Sequence, residues 1–154
     1  MARKSTKETV AAELPEPTPI RAGLPRRRKP VPKPTADPSE EEALALARRI
    51  VELAEDKKAS DIVLLEIRGL TTLADYFVIC SGQSDRQLGA VVDGIVSALR
   101  DEGIRPVGRE GKANAHWLLI DYGSVIVHVM APPERDFYQL EKLWADAPLL
   151  LRLQ

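Results

Sequence analysis

The sequence predicts a mixed α/β domain, in which a mixed β-sheet is flanked by helices, between residues 39 and 148. Three observations support this fold class: two strand-like apolar runs, a hairpin signal further along, and stripes of apolar residues at helical spacing. Apolar residues make up 44% and charged residues 29% of the 154 positions. This composition is typical of a globular protein, and the length suits one domain with a tail.

The first helix is predicted to begin at Ser39, because Ser39 and Glu42 have the spacing of a capping box. Two apolar runs follow it, residues 62–67 and residues 76–80, and both are typical of strands that are covered on both faces. The helix itself is indicated by one apolar stripe, which consists of Ala43, Leu46, Ala47, Ile50, Leu53 and Ala54.

A second helix is predicted from Ser84, since Gln87 again has capping-box spacing, and Gly103 is a natural stop for it. A short strand near Val107 should come next. The helix has the clearest apolar stripe of the sequence, formed by Leu88, Val91, Val92, Ile95 and Leu99.

The last third of the chain begins with a hairpin signal, in which Gly123-Ser124 separates two apolar runs, residues 117–122 and 125–130. A final helix is predicted after Pro132-Pro133 and before Pro148. Residues 149–154 are expected to be a C-terminal tail. The face of the final helix that should pack on the sheet consists of Phe137, Leu140, Leu143 and Trp144.

Residues 1–38 differ from the rest in composition. They hold eight of the twelve prolines and carry nine Lys and Arg against four Asp and Glu, a net charge of +5, whereas the remaining residues have a net charge of −6. Such a segment buries too little apolar surface to fold, so it is predicted to be a disordered basic tail with polyproline character. Its basic run, residues 26–29, either touches RNA or an acidic surface, or only solubilises the chain.

The compartment is suggested by what the sequence does not encode. Its one cysteine allows no internal disulfide, and no apolar run approaches the roughly 20 residues that span a bilayer. A cytoplasmic protein is therefore expected. An organellar matrix is the weaker alternative, because the basic tail also carries acidic residues and many prolines.

Neither a catalytic set nor a metal site is recognisable. Cys80 ends an apolar strand and should be buried and inert, and His128 alternates with valines, which is more typical of a structural histidine than of a base. The two histidines and the single cysteine match no zinc spacing, and there is no Asp-x-Asp pair. We therefore expect no enzyme, no metal and no cofactor.

One enzymatic alternative remains open. Residues Ser81 to Asp85 lie at a predicted strand-to-helix junction, where backbone N–H groups converge and could hold a phosphate. The segment lacks the Walker lysine and the dinucleotide glycine pattern, so this signal is weak. The alternative function is a nucleotide-binding or nucleotidyltransferase-like enzyme that uses this turn.

Other residues suit contact with a partner. Trp117 follows a polar loop that carries Glu110 and His116, and it is equally compatible with a core position and with a recognition anchor. Glu110, Asp121 and Asp75 are either the acidic complement of a basic partner or ordinary solvated turn positions.

Three blocks of sequence resemble the ribosomal silencing factors, also called the Iojap-like family. They are residues 75–87, DYFVICSGQSDRQ, residues 117–129, which include WLLIDYG and VHV, and residues 135–148, RDFYQLEKLWADAP. The resemblance runs from about Leu44 to Pro148 with order and spacing kept. It does not cover residues 1–38.

The resemblance implies a nucleotidyltransferase-like fold without the catalytic carboxylates. It also implies binding to the large ribosomal subunit through the ribosomal protein of the L-fourteen type, on the face that meets the small subunit. Occupation of that face would sterically block subunit association and repress translation when nutrients are scarce. Many members of the family form homodimers, which the apolar final segment could support.

The interface tryptophan of the family corresponds to Trp117, which makes this residue the first candidate for contact. Glu110 and Asp121 are expected to pair with basic residues of the ribosomal protein, and the basic tail is a candidate for additional contact with ribosomal RNA. The complete set of expected partner-binding residues is Trp117, Glu110, Asp121, His116, Asp75 and Tyr76.

Overall fold

The computed structural model describes residues 38–111, 114 and 116–154, so the predicted basic tail lies outside the described residues except for Pro38. No helix in this part of the chain is long and apolar enough to cross a membrane. The elements are α1 (Pro38–Asp56), β1 (Ser60–Glu66), β2 (Tyr76–Ser81), α2 (Asp85–Asp101), β3 (Gly108–Glu110), β4 (Trp117–Asp121), β5 (Val125–Met130), α3 (Pro132–Tyr138), α4 (Leu140–Leu143) and β6 (Leu149–Leu153).

The strands form one open sheet in the order β3-β4-β5-β2-β1-β6. β2 and β5 run parallel at its centre, and every other described pair is antiparallel. Both central strands are buried along their whole length, as the unbroken apolar runs predict. The mixed sheet with flanking helices confirms the predicted fold class.

One face of the sheet is covered by α1 and α2. The predicted apolar stripe of α2 is buried in full, and that of α1 is buried except for Leu46, which is partly exposed. Alternate residues of the strands point into this core, since side chains alternate between the two faces of a strand. Among them are Tyr76, Val78, Cys80, Val125, Val127 and Val129.

The other face is covered by α3, α4 and the adjoining loops. Phe77 lies at its centre and contacts Trp144 edge to face, with 5.3 Å between the ring centroids. Because α3 and α4 are much shorter than α1 and α2, they leave part of this face open. Partly exposed apolar residues mark the open part and the loop that precedes β2, and they are Leu70, Leu73, Trp117, Leu119 and Tyr138.

The helix starts agree only in part with the capping signals. α2 begins as predicted, with the Ser84 hydroxyl accepting the N–H of Gln87 at 3.0 Å. The side chain of Gln87 accepts the N–H of Gln83 at 2.7 Å, one residue before the expected position. α1 begins at Pro38, so Ser39 is inside the helix and is not its cap. Proline suits the first turn of a helix, because the N–H that it lacks would have no partner there.

The prediction of one final helix is wrong. Gln139 has a left-handed backbone with φ of 45°, which ends α3 and separates it from α4. As a result Leu140 is buried, whereas Phe137 and Leu143 are 63% and 52% exposed. The helical spacing of Phe137, Leu140, Leu143 and Trp144 does not indicate this break.

The expectation of a C-terminal tail after Pro148 is also wrong, since Leu149–Leu153 forms β6 and pairs antiparallel with β1. Leu151 and Leu153 pack against the core below α1 and α2. The segment has no apolar–polar alternation that would indicate a strand, because it begins with three consecutive leucines.

Arg135 links α3 and the start of α4 to the sheet through hydrogen bonds. Its guanidinium donates to the Ser81 hydroxyl at 2.8 Å, and through Nε and Nη2 it donates to one oxygen of Glu141 at 3.2 and 2.7 Å. The side chain of Arg135 is only 10% exposed. Although burial opposes ionisation of Glu141, the hydrogen bonds from Arg135 keep the pKa of this carboxyl below its ordinary value.

We predict that Arg135→Ala lowers the free energy of unfolding by about 3 kcal/mol, because it leaves a partly buried carboxylate without its partner. Urea unfolding at pH 7 measures the change. Arg49→Ala is the control, since it removes the exposed pair of Arg49 with Glu102 and should have little effect. Equal stability of the two variants would show that the Arg135 contacts do not stabilise the fold.

Candidate partner-binding surface

The part of the sheet face that α3 and α4 leave open is at β4. Trp117 and Leu119 point to this side, because Leu118 and Ile120 between and beyond them pack in the core below α1 and α2. Phe137 and Tyr138, at the end of α3, continue the same patch, with their rings 5.0 Å apart. We call these four residues the Trp117 surface.

Trp117 is held on two sides and is still partly exposed. Its ring lies 4.7 Å from that of Tyr138, tilted by 51°. Its indole N–H donates to Nδ1 of His128 at 3.2 Å. The ring is therefore packed on one side and partly exposed on another, so the structure leaves both alternatives from the sequence open.

His128 lies in β5, diagonally opposite Trp117 of the neighbouring strand, and is completely buried. Its ring contacts Phe77 edge to face, at 4.7 Å between centroids. Burial, with a further contribution from the positive charge of Arg135, lowers the pKa of His128 to about 3. The ring is therefore neutral at physiological pH, and Nδ1 can accept the hydrogen bond from Trp117.

His116 ties the segment before Trp117 to two helices. Its Nε2 lies 3.1 Å from Asp85 at the start of α2, and its Nδ1 lies 3.4 Å from Glu134 in α3. The backbone carbonyl of His116 accepts the N–H of Ala131 at 2.9 Å. His116 thus has a structural role beside Trp117, and it is also partly exposed.

Two of the expected acidic contacts lie at the rim of the Trp117 surface. Glu110 is exposed and pairs in register with Leu119, so the two side chains share a face. Asp121 is on the same face by alternation along β4. One of its carboxylate oxygens accepts the N–H of Gly123 at 2.7 Å and so also shapes the hairpin turn.

The structure does not bring Asp75 and Tyr76 to this surface. Tyr76 pairs with Val125 and Trp117 pairs with Met130, so they lie at opposite ends of β5, about 16 Å apart along the strand. Tyr76 is 3% exposed and belongs to the core on the α1 and α2 face. A buried ring offers no contact to a partner, so we leave Tyr76 out of the surface. Asp75 is left out because it immediately precedes Tyr76, at the end of β5 far from Trp117.

Sequence reasoning missed two members of the surface. Phe137 was assigned to a packed helix face, and Tyr138 was not singled out at all. Tyr138 is the last residue of α3, immediately before the break at Gln139, and its ring contacts Trp117 from another element. The signal that the sequence offers is the adjacent aromatic pair Phe137-Tyr138, which begins four residues after Pro133.

The turn that the enzymatic alternative requires is occupied by internal hydrogen bonds. The N–H of Gly82 bonds to the carbonyl of Met130, that of Gln83 bonds to the side chain of Gln87, and the Ser81 hydroxyl accepts from Arg135. Burial raises the pKa of the Cys80 thiol to about 12, so it carries no thiolate at neutral pH. Among the described residues, no group of three or more His, Cys, Asp or Glu is arranged to hold a metal ion.

Comparison with known proteins assigns the family. A family model described as "Ribosomal silencing factor during starvation" matches residues 40–153. The chain belongs to the ribosomal silencing factor family. A relative from Bacillus subtilis, "Ribosomal silencing factor RsfS", is 46% identical over 95 residues, which cover 62% of this chain and 80% of that protein.

Two further relatives extend the comparison. A crystal structure of a protein from Chromobacterium violaceum has a TM-score of 0.65 and 36% identity, covering 67% of this chain and 86% of that one. "Mitochondrial assembly of ribosomal large subunit protein 1" from Mus musculus is 39% identical over 98 residues, which are 62% of this chain and 43% of that protein. The recognition of a ribosomal silencing factor from three sequence blocks is confirmed.

We predict that the buried His128 lowers the free energy of unfolding in acid. Its pKa is about 3 in the folded protein against an ordinary 6.5. Between these values the unfolded chain binds the proton and the folded chain does not. Stability therefore falls as the pH drops below about 6.5, by up to about 1.4 kcal/mol per pH unit from this group.

Urea unfolding at pH 7 and pH 5 tests this dependence, with His128→Leu as the comparison, because leucine cannot titrate. The variant should lose less stability than the native chain between the two pH values. The same loss in both proteins would mean that His128 accepts a proton in the folded state.

Proposed function

We propose that this chain binds the large ribosomal subunit through the ribosomal protein of the L-fourteen type and sterically prevents the small subunit from joining. Translation would then be repressed when nutrients are scarce. Membership of the ribosomal silencing factor family supports the proposal. The name of the Mus musculus relative, which refers to assembly of the ribosomal large subunit, supports that subunit as the partner.

The observation that carries the proposal is the Trp117 surface. Tryptophan and tyrosine dominate the binding energy at protein interfaces, because large rings bury much area while few torsions are restricted. Here Trp117 and Tyr138 contact each other, and both remain partly exposed. An aromatic pair that is already ordered before binding loses little further entropy when a partner covers it.

Charge indicates what kind of partner fits. Glu110 and Asp121 lie at the rim of the Trp117 surface, and residues 39–154 carry a net charge of −6. An acidic body is poorly suited to phosphate backbones, which require Lys and Arg. The surface therefore suits a basic protein better than RNA, as binding through a ribosomal protein requires. Contact of residues 1–38 with ribosomal RNA is a separate proposal, supported by their charge of +5.

The mechanism requires no catalysis. A folded body of this length has a radius of gyration of about 13 Å, and a bound copy would exclude the small subunit from the space that it occupies. The effect would then depend only on occupancy, hence on affinity and concentration. We accordingly propose a regulator that is not an enzyme.

We propose two further properties. The relative from Bacillus subtilis suggests a bacterial, cytoplasmic protein. Homodimers are supported by the edge strand β6, where Leu149 and Leu150 are 50% and 41% exposed.

Sedimentation of purified subunits tests the function. We expect the full chain to co-sediment with isolated large subunits and to keep them from joining small subunits when magnesium is added. Trp117→Ala at the same concentration should allow joining. If the native chain neither co-sediments nor reduces joining, the proposal is wrong.

Variants of the aromatic pair test the surface itself. We predict that Trp117→Ala and Tyr138→Ala each weaken binding to the large subunit by about 2 kcal/mol, roughly thirtyfold in Kd, because each removes a central aromatic contact. Val96→Ala is the control, since Val96 is a partly buried apolar residue of α2 on the opposite side of the sheet. Circular dichroism and melting temperature must show that the variants are folded.

Binding that is unchanged in both aromatic variants would exclude this surface as the contact. Equal weakening by Val96→Ala would mean that the loss follows from reduced stability rather than from a lost contact.

A further inference from the structure

The hydrogen bond between Trp117 and His128 determines where the proton of the histidine lies. The indole N–H of Trp117 can only donate, so Nδ1 of His128 must accept and is unprotonated. In the neutral ring the proton is then on Nε2. This buried N–H has no hydrogen-bond partner among the described residues.

An unpaired polar group in the interior destabilises a protein. On its own face of the sheet His128 contacts Phe77 and lies opposite Ile79 and Leu119 on the neighbouring strands, all of them apolar. An aliphatic side chain of similar size would bring no polar atom of its own into this site. What the histidine provides, and an aliphatic residue does not, is the acceptor for Trp117.

We propose that His128 is a positioning residue, whose Nδ1 holds the indole of Trp117 against Tyr138 in the orientation that the partner contacts. The biological meaning of this inference rests on the proposed function, whereas its structural part concerns only the two rings. His128 itself is completely buried and touches no partner.

The geometry supports the positioning role from two sides. The hydrogen bond of 3.2 Å restrains one edge of the indole, and the ring of Tyr138, 4.7 Å away, restrains its plane. Burial beside Arg135 keeps the His128 pKa near 3, so the acceptor persists over the physiological pH range. A ring restrained in this way avoids part of the entropy that a partner would otherwise have to remove.

The decisive variants separate stability from positioning. His128→Leu removes both the acceptor and the unpaired N–H, so it should stay at least nearly as stable at pH 7 but release Trp117. His128→Asn places its amide oxygen close to the position of Nδ1, so it should keep Trp117 in place while its buried amide group lowers the melting temperature. A histidine that served stability alone would show the opposite order.

Nuclear magnetic resonance reads the position of Trp117 directly. The chain has two tryptophans, so two indole N–H signals are expected, and Trp117→Phe assigns them. In His128→Leu the Trp117 signal should shift and its hydrogen exchange should accelerate. The Trp144 signal is the internal control, because Phe77 lies between Trp144 and His128.

Binding to isolated large subunits supplies the functional measurement. His128→Leu should bind about three- to tenfold more weakly than the native chain, which is the loss expected when one side chain must be ordered on binding. His128→Asn should bind within about twofold of the native chain. Ile79→Val, next to His128 on β2, is the matched control and should lower the melting temperature without weakening binding.

Each outcome decides the inference. An unchanged Trp117 signal in His128→Leu, or native affinity together with a released indole, would overturn it. If His128→Leu does not fold, His128→Gln replaces it, because its amide reaches the position of Nε2 and leaves that of Nδ1 empty. If the native chain itself fails to bind large subunits, the proposed function is wrong, and the indole signals alone then decide whether His128 holds Trp117.

Discussion

The parallel pairing of β2 with β5 is the constraint on which the rest of this fold depends. Both strands are buried at every position, so both faces of the sheet must be covered. Two long helices, α1 and α2, cover one face, whereas the other receives only the short α3 and α4. The unequal cover leaves β4 partly open. The partial exposure of Trp117 and Leu119 in β4 follows from this difference in helix length.

The backbone of Gln139 then determines which side chains enter the core and which face outward. Its left-handed conformation, uncommon for a residue other than glycine, ends α3 immediately after Tyr138. Leu140 and Trp144 beyond the break pack against the sheet, whereas Tyr138 before it contacts Trp117. Arg135 holds the first half in place through Ser81 and Glu141. The break at Gln139 therefore separates the aromatic residues of the surface from the core residues that follow them in the chain.

Local sequence patterns predicted the elements that local forces determine. The sequence predicted the apolar stripe and the N-cap of α2, and also the hairpin of β4 with β5. These features depend on periodicity and turn residues, which act over a few positions. The sequence did not predict β6, because its formation depends on pairing with β1. It also did not predict the break at Gln139, which depends on how α3 packs. The residues of the candidate site show the same difference between what local patterns predict and what they do not. Periodicity left Trp117 undecided because the residue is in fact half-buried, and Tyr138 was missed because its partner lies on another element.

The buried titratable groups limit how a chain with the proposed function can be controlled. Burial raises the pKa of Cys80 to about 12 and lowers that of His128 to about 3. Neither group changes charge near neutral pH: Cys80 lies in the core below α1 and α2, and His128 beneath the Trp117 surface remains an acceptor for Trp117. A surface held constant in this way responds poorly to pH through its interior. If the chain acts by occupancy, its control must then lie in its concentration, in competition for the partner, or in the exposed groups of its rim.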